Sequence, residues 1–300
     1  MDNLRDLYPS RLERRIDAFK RLDPVIYRKP DADEGPLSPE QMAFYRDNGY
    51  LYFECFLSEA EVAQLFSELT ALSEDSSLRH AEDAVLEPDS GELRSLFAMH
   101  RHSEIFDKVT RNPRILDMVY QILDSDVYIH QSRINYKPGF KGKGFNWHSD
   151  FETWHTEDGM PRMRCLSCSI TLTENTEFNG PLMLIPGSHR YFVPCTGATP
   201  DDNYKTSLQA QQFGVPEEDD LRWLVAEGGI VAPKGPPGSM LLFECNTLHA
   251  SNANMSPFPR SNVFFVYNSV ENALQAPYAT RNPRPEFLGS RRIETLTPGS

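Results

Sequence analysis

The sequence predicts a mainly β protein, an all-β barrel or jelly roll with helices packed outside it. Two observations carry this. After residue 126 short β-rich runs alternate with Gly, Pro and Asn turns, and before it three helix signals follow one another with no linker to separate them as a domain. Residues 1–37 are charged and punctuated by Pro9, Pro24, Pro30 and Pro36, so they read as an arm lying over the domain. Residues 38–300 then form one domain, helical over about 38–125 and barrel over about 126–270.

Ser38-Pro39-Glu40-Gln41 combines an N-cap, a first-turn proline and a glutamine three residues after the cap, which starts a helix that Gly49 ends. Tyr50 to Phe53 reads as a strand. A second capping box, Ser58 to Glu61, precedes Val62, Leu65, Phe66, Leu69 and Leu72 at helical spacing. Pro113 opens a third helix with Ile115, Leu116, Val119, Ile122 and Leu123 on one face. The barrel strands are expected at 127–136, 165–173, 182–186, 239–244 and 262–270.

The chain has 300 residues, and 30 Lys+Arg against 43 Asp+Glu leave a net charge of −13, which excludes duplex nucleic acid as a partner. No apolar run approaches the roughly 20 residues needed to cross a bilayer, so no membrane association is expected. The N-terminal stretch has no apolar segment of the signal-peptide kind. Five cysteines, odd in number and mostly in apolar strand-like runs, suit reduced thiols. The expectation is a cytoplasmic protein.

Two histidines and a carboxylate carry the chemistry. His148-Ser149-Asp150 follows the Gly-rich FKGKGFNW, and His249 follows the apolar strand Met240 to Phe243. Such a set is the facial triad of a mononuclear non-haem Fe(II) site, which leaves one octahedral face open. His148 and Asp150 are expected to point inward from one extended segment, because residues i and i+2 share a face. Arg260, 11 positions after His249, offers a planar fork that holds a carboxylate through two charge-assisted hydrogen bonds; the plainer alternative is a surface arginine in a turn.

Strand alternation gives three polar rows: Gln131, Arg133, Asn135 and Lys137, in line with Val127 and Ile129; Ser167, Ser169 and Thr171; and Arg260, Asn262 and Asn268, beside Phe264 and Val266. These rows fit either a solvated face or the lining of a polar cavity. Cys165 and Cys168 lie three apart on a strand, so they face opposite ways and do not form a zinc site. His100 and His102 read as one strand face without a carboxylate nearby, a surface or supporting pair. KGKG lacks the strand–loop–helix context of a phosphate loop.

With these residues in view, His148-x-Asp150, the stretch NGPLMLIPGSH (179–189), and His249 with Arg260 resemble the phytanoyl-CoA dioxygenase-like branch of Fe(II)/2-oxoglutarate oxygenases, over about residues 38–270. HQSRINYKPGFKGKGFNWHSDFETWH (130–155) and DGMPRMR (158–164) are similar to the ectoine-hydroxylating group within it. The resemblance implies a double-stranded β-helix that converts ectoine, 2-oxoglutarate and O₂ to 5-hydroxyectoine, succinate and CO₂. It implies Fe(II) on His148, Asp150 and His249, the 2-oxoglutarate 5-carboxylate on Arg260 and Lys137, and ectoine on Gln131 and Trp154. Asn262 is a further donor for the ectoine carboxylate, and Phe97, Phe243 and Ser251 are candidate walls. A homodimer is implied by the resemblance alone. The rivals are a related hydroxylase of another small polar metabolite and a non-catalytic cupin-like metal-binding module; Asp150 argues against a halogenase, which leaves that ligand position to halide.

Overall fold

A computed structural model describes residues 6–29, 35–86, 91, 93–200, 202–208 and 213–299; Pro30 and the first five residues of the arm lie outside them. The strands are β1 (Phe19–Lys20), β2 (Tyr50–Phe53), β3 (Ala84–Leu86), β4 (Leu93–Phe97), β5 (Val127–Lys137), β6 (Phe145–His148), β7 (Cys165–Thr171), β8 (Leu182–Leu184), β9 (Tyr191–Phe192), β10 (Met240–Glu244), β11 (His249–Ser251) and β12 (Arg260–Ser269). The helices are α1 (Pro39–Asn48), α2 (Glu59–Glu74), α3 (Met99–His102), α4 (Glu104–Thr110), α5 (Pro113–Leu123), α6 (Asp150–Thr153), α7 (Tyr204–Ser207) and α8 (Glu218–Gly228). Both expected capping boxes form, at Ser38/Gln41 and Ser58/Glu61, and Gly49 ends α1 in the left-handed conformation.

The strands make a double-stranded β-helix. A seven-stranded sheet, in the order β2-β10-β7-β12-β5-β4-β3, faces a three-stranded sheet, β6-β11-β8. β12 sits at the centre of the large sheet, antiparallel to β5 and β7, and all ten of its residues are buried. Phe265, Val263 and Tyr267 on one face of it join Leu166, Cys168 and Ile170 of β7 under the apolar stripes of α2 and α5, which form the main core. Each such fully buried side chain contributes roughly 1.5–3 kcal/mol. The other face of the sheet, with Ser167, Ser169, Thr171, Arg260, Asn262 and Phe264, turns into the barrel and is also buried. The polar rows of β7 and β12 are therefore interior rows and not solvated faces.

Four expectations are corrected. The 38–125 stretch is not only helical: besides the expected strand β2, β3 and β4 also belong to the large sheet. His100 and His102 do not share a strand face; they lie in α3, where His102 Nε2 meets Asp83 at 2.6 Å and His100 Nδ1 meets Ser132 Oγ at 2.6 Å. The odd-numbered row of β5 is not one face: the register skips a residue between Ile129, opposite Tyr267, and Gln131, opposite Val266. That bulge sends Val127 and Ile129 to the helix-side core with Ile134, and leaves Gln131, Arg133 and Lys137 on the interior side. Finally, His148 and Asp150 do not share an extended segment, as described below.

The chain after β12 returns along β5, where Ser290 N donates to His130 O and Leu296 N to Val127 O. It also crosses Gly159, which closes the helical stretch that begins at Asp150. Gly159 has φ +83°, and a Cβ there would lie 2.2 Å from the Gln275 carbonyl oxygen. Gly159→Ala is therefore expected to lower stability by more than about 2 kcal/mol, from left-handed backbone strain plus the backbone clash, read as the denaturation midpoint.

Candidate metal centre and substrate cavity

The register of the small sheet brings the two histidines together. His249 of β11 is the direct antiparallel partner of His148 of β6, and their ring centroids are 4.1 Å apart. Directly after His148 the chain leaves the strand, and Ser149 caps α6: its side chain accepts from Glu152 N and donates to Asn246 Oδ1 at 2.9 Å. Asp150 is thus the first residue of a helix, fixed further by Phe151 N donating to Cys245 O at 2.9 Å. A strand-to-helix switch, and not shared strand parity, puts the carboxylate beside the imidazoles.

His148 Nε2 lies 3.6 Å from Asp150 Oδ1, and His249 Nε2 lies 3.8 Å from Asp150 Oδ2. The Nδ1 atoms point the other way, to the carbonyl oxygens of Asn146 (2.8 Å) and Thr247 (3.0 Å). A carbonyl only accepts, so each Nδ1 carries a proton, and Nε2 is the ring atom that each histidine turns toward the carboxylate and offers to a cation. Burial opposes the ionisation of Asp150, yet His249, His148 and Arg133 outweigh it and hold the carboxyl well below the usual range. Burial, then the neighbouring His148, pushes His249 down to about 4. Neutral imidazole and ionised carboxylate are the forms that bind a cation. These three side chains are the one such His/Cys/Asp/Glu group among the described residues, with donor atoms within 4.8 Å of one another. Two nitrogens and one oxygen on one side fit Fe(II) with the remaining positions open.

His148 borders two adjoining cavities, which also share Phe97, Arg133, Phe145 and Leu208. The first holds Lys137, Ser251, His249 and Arg260. Arg260 and Lys137 are direct cross-strand partners, a like-charge pairing that destabilises a sheet unless an anion lies between them. Arg260 is 1% exposed; one Nη donates to Gly180 O at 2.7 Å, and its Nε has no partner. Burial, and then Arg133, lower its pKa to about 10. Lys137 Nζ donates to Ser251 Oγ (2.8 Å) and Asn252 O (2.6 Å).

The second cavity reaches Asp150, Gln131 and Trp154. Trp154 stands at the start of one turn of wider π-helix, Trp154–Asp158, with its ring edge-on to His130 at 5.0 Å. Gln131 Nε2 donates to Leu288 O at 2.7 Å. Two candidates fall outside both cavities. Asn262 donates to Ser169 Oγ at 3.3 Å, between Arg260 and Phe264 on the inner face of β12, and Phe243 packs its ring edge against His249 at 5.2 Å.

Sequence reasoning did not single out Arg133 or Arg284. Arg133 borders both cavities, rests its guanidinium 4.8 Å above the Phe264 ring, and leaves a buried Nε without a partner. Its signal was present, since it lies between Gln131 and Lys137 in the β5 row. Arg284 borders the second cavity and pairs with Asp158 through Nε (2.8 Å) and Nη2 (2.6 Å). It lies in the C-terminal segment, where no local pattern marks it.

The chain is similar to known proteins over nearly its whole length. The pattern of the family described as Phytanoyl-CoA dioxygenase (PhyH) matches residues 45–262. An ectoine dioxygenase of Halomonas elongata is 50% identical over 295 residues, covering 98% of this chain and 88% of the relative. The crystal structure of EctD from S. alaskensis with 2-oxoglutarate and 5-hydroxyectoine superposes with a TM-score of 0.85 at 47% identity, covering 96% of this chain and 95% of that one. The structure of EctD from S. alaskensis with bound Fe gives 0.86 at 45%, covering 98% of each.

Asp150→Ala is expected to weaken Fe(II) binding by more than about a hundredfold, more than the loss of a supporting group costs. Anaerobic titration with Fe(II) checks this, with far-ultraviolet circular dichroism unchanged.

Proposed function

The chain belongs to the phytanoyl-CoA dioxygenase family, among its ectoine dioxygenases, and from that premise we propose that it is an Fe(II)- and 2-oxoglutarate-dependent dioxygenase that converts ectoine, 2-oxoglutarate and O₂ to 5-hydroxyectoine, succinate and CO₂. The observation that carries the reading is the His148/Asp150/His249 donor set at the junction of a cation-lined cavity and an aromatic, amide-bearing one. Iron, when bound, supplies the oxygen chemistry. Everything else is binding, orientation and exclusion of water by the protein.

His148, Asp150 and His249 hold the metal, each histidine locked in one tautomer by its backbone carbonyl. Arg260 receives the distal carboxylate of 2-oxoglutarate on the fork atoms that Gly180 leaves over, and Lys137, directly opposite, adds a second charge. Arg133 brings a third cation to the same cavity, so a dianion relieves mutual repulsion among buried charges when it binds. In the adjoining cavity the Trp154 indole face suits the delocalised amidinium of ectoine, and Gln131 provides a donor for its carboxylate. Phe97, Phe145 and Leu208 border both cavities and keep water from the reacting centre.

We place the enzyme in the cytoplasm. All five cysteines are free thiols, and no helix among the described residues is long and apolar enough to cross a membrane.

NMR of the products after anaerobic loading with Fe(II), 2-oxoglutarate and ectoine, followed by air, tests the reading; absence of 5-hydroxyectoine overturns it. Arg260→Lys replaces a fork by a point charge, and a charged hydrogen bond is worth about 1.5–3 kcal/mol. The KM for 2-oxoglutarate should therefore rise roughly 10- to 150-fold while that for ectoine moves less than about twofold. Trp154→Ala and Gln131→Ala should keep the anaerobic charge-transfer band of the Fe(II)·2-oxoglutarate complex. They should weaken ectoine binding up to about thirtyfold and raise the share of 2-oxoglutarate consumed without product.

A further inference from the structure

The N-terminal arm carries a buried arginine in a conformation that side chains rarely adopt. Arg11 has φ +58° and is 4% exposed. Its backbone is held there by its N–H on Cys195 O at 2.8 Å, and Ser10 Oγ accepts from Cys195 N at 2.9 Å. Strain of this kind persists only where the surroundings over-determine it. The surroundings here are two carboxylates of the helical stretch that begins at Asp150. Arg11 Nε and Nη2 donate to the two oxygens of Glu152 at 2.6 and 2.7 Å, and Nη1 donates to Glu157 Oε1 at 3.2 Å. Ser10 Oγ adds a third donor to Glu152 at 2.6 Å.

The same cluster holds a second piece of chain. Arg11 Nη1 donates to Thr199 Oγ1 at 3.1 Å, and Glu157 Oε1 also accepts from Asn203 Nδ2 at 3.0 Å. Asn203 directly precedes α7, its carbonyl accepting from Ser207 N at 2.9 Å. Ser207 and Leu208, which follow, border the cavity that contains Asp150, Gln131 and Trp154. On the far side of this segment Gly214 (φ +72°) comes so close that a Cβ there would lie 2.4 Å from Arg11 Nη2 and 2.6 Å from Glu152 Oε2. Asn203 and Gly214 therefore both rest on one ion cluster, and that cluster is built on the arm.

We propose that Arg11 is a positioning residue for the hydroxylation: through Glu152, Glu157 and Asn203 it seats Ser207–Leu208 against the substrate cavity in register with the helix that carries Asp150. The proposal rests on the function stated above. Arg11 touches neither metal nor substrate. Its contribution is to keep the wall of the ectoine cavity in place, so that 2-oxoglutarate is spent only when ectoine is present and water is excluded.

Two readouts test it on the full chain. Arg11→Lys keeps the charge and loses the fork, whereas Gly214→Ala presses on the same pair from the opposite side; Glu157→Gln is the mild variant if either fails to fold. Hydrogen–deuterium exchange of the metal-free protein should show the amides of 204–208 exchanging at least tenfold faster in the variants, with those of 115–123 in the core unchanged. The amount of hydroxyectoine formed per 2-oxoglutarate consumed should fall at least threefold, with the anaerobic charge-transfer band retained. Unchanged exchange over 204–208, exchange that rises equally over 115–123, or an unchanged product ratio in a variant whose 204–208 amides are loosened would each overturn the assignment. If the wild type makes no hydroxyectoine, the functional reading fails and exchange alone decides whether Arg11 seats the segment.

Discussion

Burial of charge inside a β-barrel is the constraint on which the rest of the structure depends. Removing a cation from water costs several kcal/mol unless a partner of opposite charge and good geometry replaces the lost hydration. At two places the protein meets that cost in full: beneath the arm Arg11 faces two carboxylates, and at the edge of the second cavity Arg284 grips Asp158 with two hydrogen bonds. At the first cavity it does not. Arg260 has one carbonyl and a buried Nε without a partner, and Arg133 stacks on the Phe264 ring with its own buried Nε likewise unpartnered. Fully paired charges brace the molecule, and the underpaired ones face the space where an anionic co-substrate fits. That difference in satisfaction separates structural from functional arginines here better than burial does, since both kinds are buried.

The large sheet tolerates this because its two faces are specialised. Phe265, Val263 and Tyr267 of β12 anchor one face in the helix-covered core, and Arg260, Asn262 and Phe264 occupy the other. One strand thus supplies both stability and chemistry, at alternate positions. The β5 bulge extends the same economy: upstream of it Val127 and Ile129 feed the core, and downstream Gln131, Arg133 and Lys137 feed the cavities. A strand without the bulge would send one of these groups to the wrong side.

Much of this was legible in the sequence, wherever the determining interactions are local. Both capping boxes, the apolar faces of α2 and α5, and the strand runs at 165–171 and 240–244 are written within a few residues of where they act. The donor set was readable as residue types, because few other chemistries use two histidines and an aspartate with an arginine nearby. What stayed hidden is non-local. Whether Ser167 and Ser169 meet water or a cavity depends on what covers the sheet. The bulge depends on the partner strand, and the placement of Asp150 depends on Ser149 finding Asn246 across the barrel. Arg284 enters the site only because the C-terminal segment folds back over Asp158.

The division between rigid and adjustable parts follows from the same geometry. The co-substrate side of the cavity is built on β5, β11 and β12, whose groups are fixed by ladder hydrogen bonds on both sides or by direct cross-strand pairing. The substrate side shares Gln131 and Arg133 of β5, but the rest of it is one helical turn, a short segment at 207–208 and a returning C-terminal chain, held by side-chain contacts. Ladder bonds resist local opening more than isolated side-chain contacts do. The metal ligands stand at the boundary, with His148 and His249 on strands and Asp150 on the helix. Asp150 is the metal ligand carried by the substrate-side helix, and because the same helix carries Glu152, the partner of Arg11, α6 is the point at which the remote arm and the reacting centre meet.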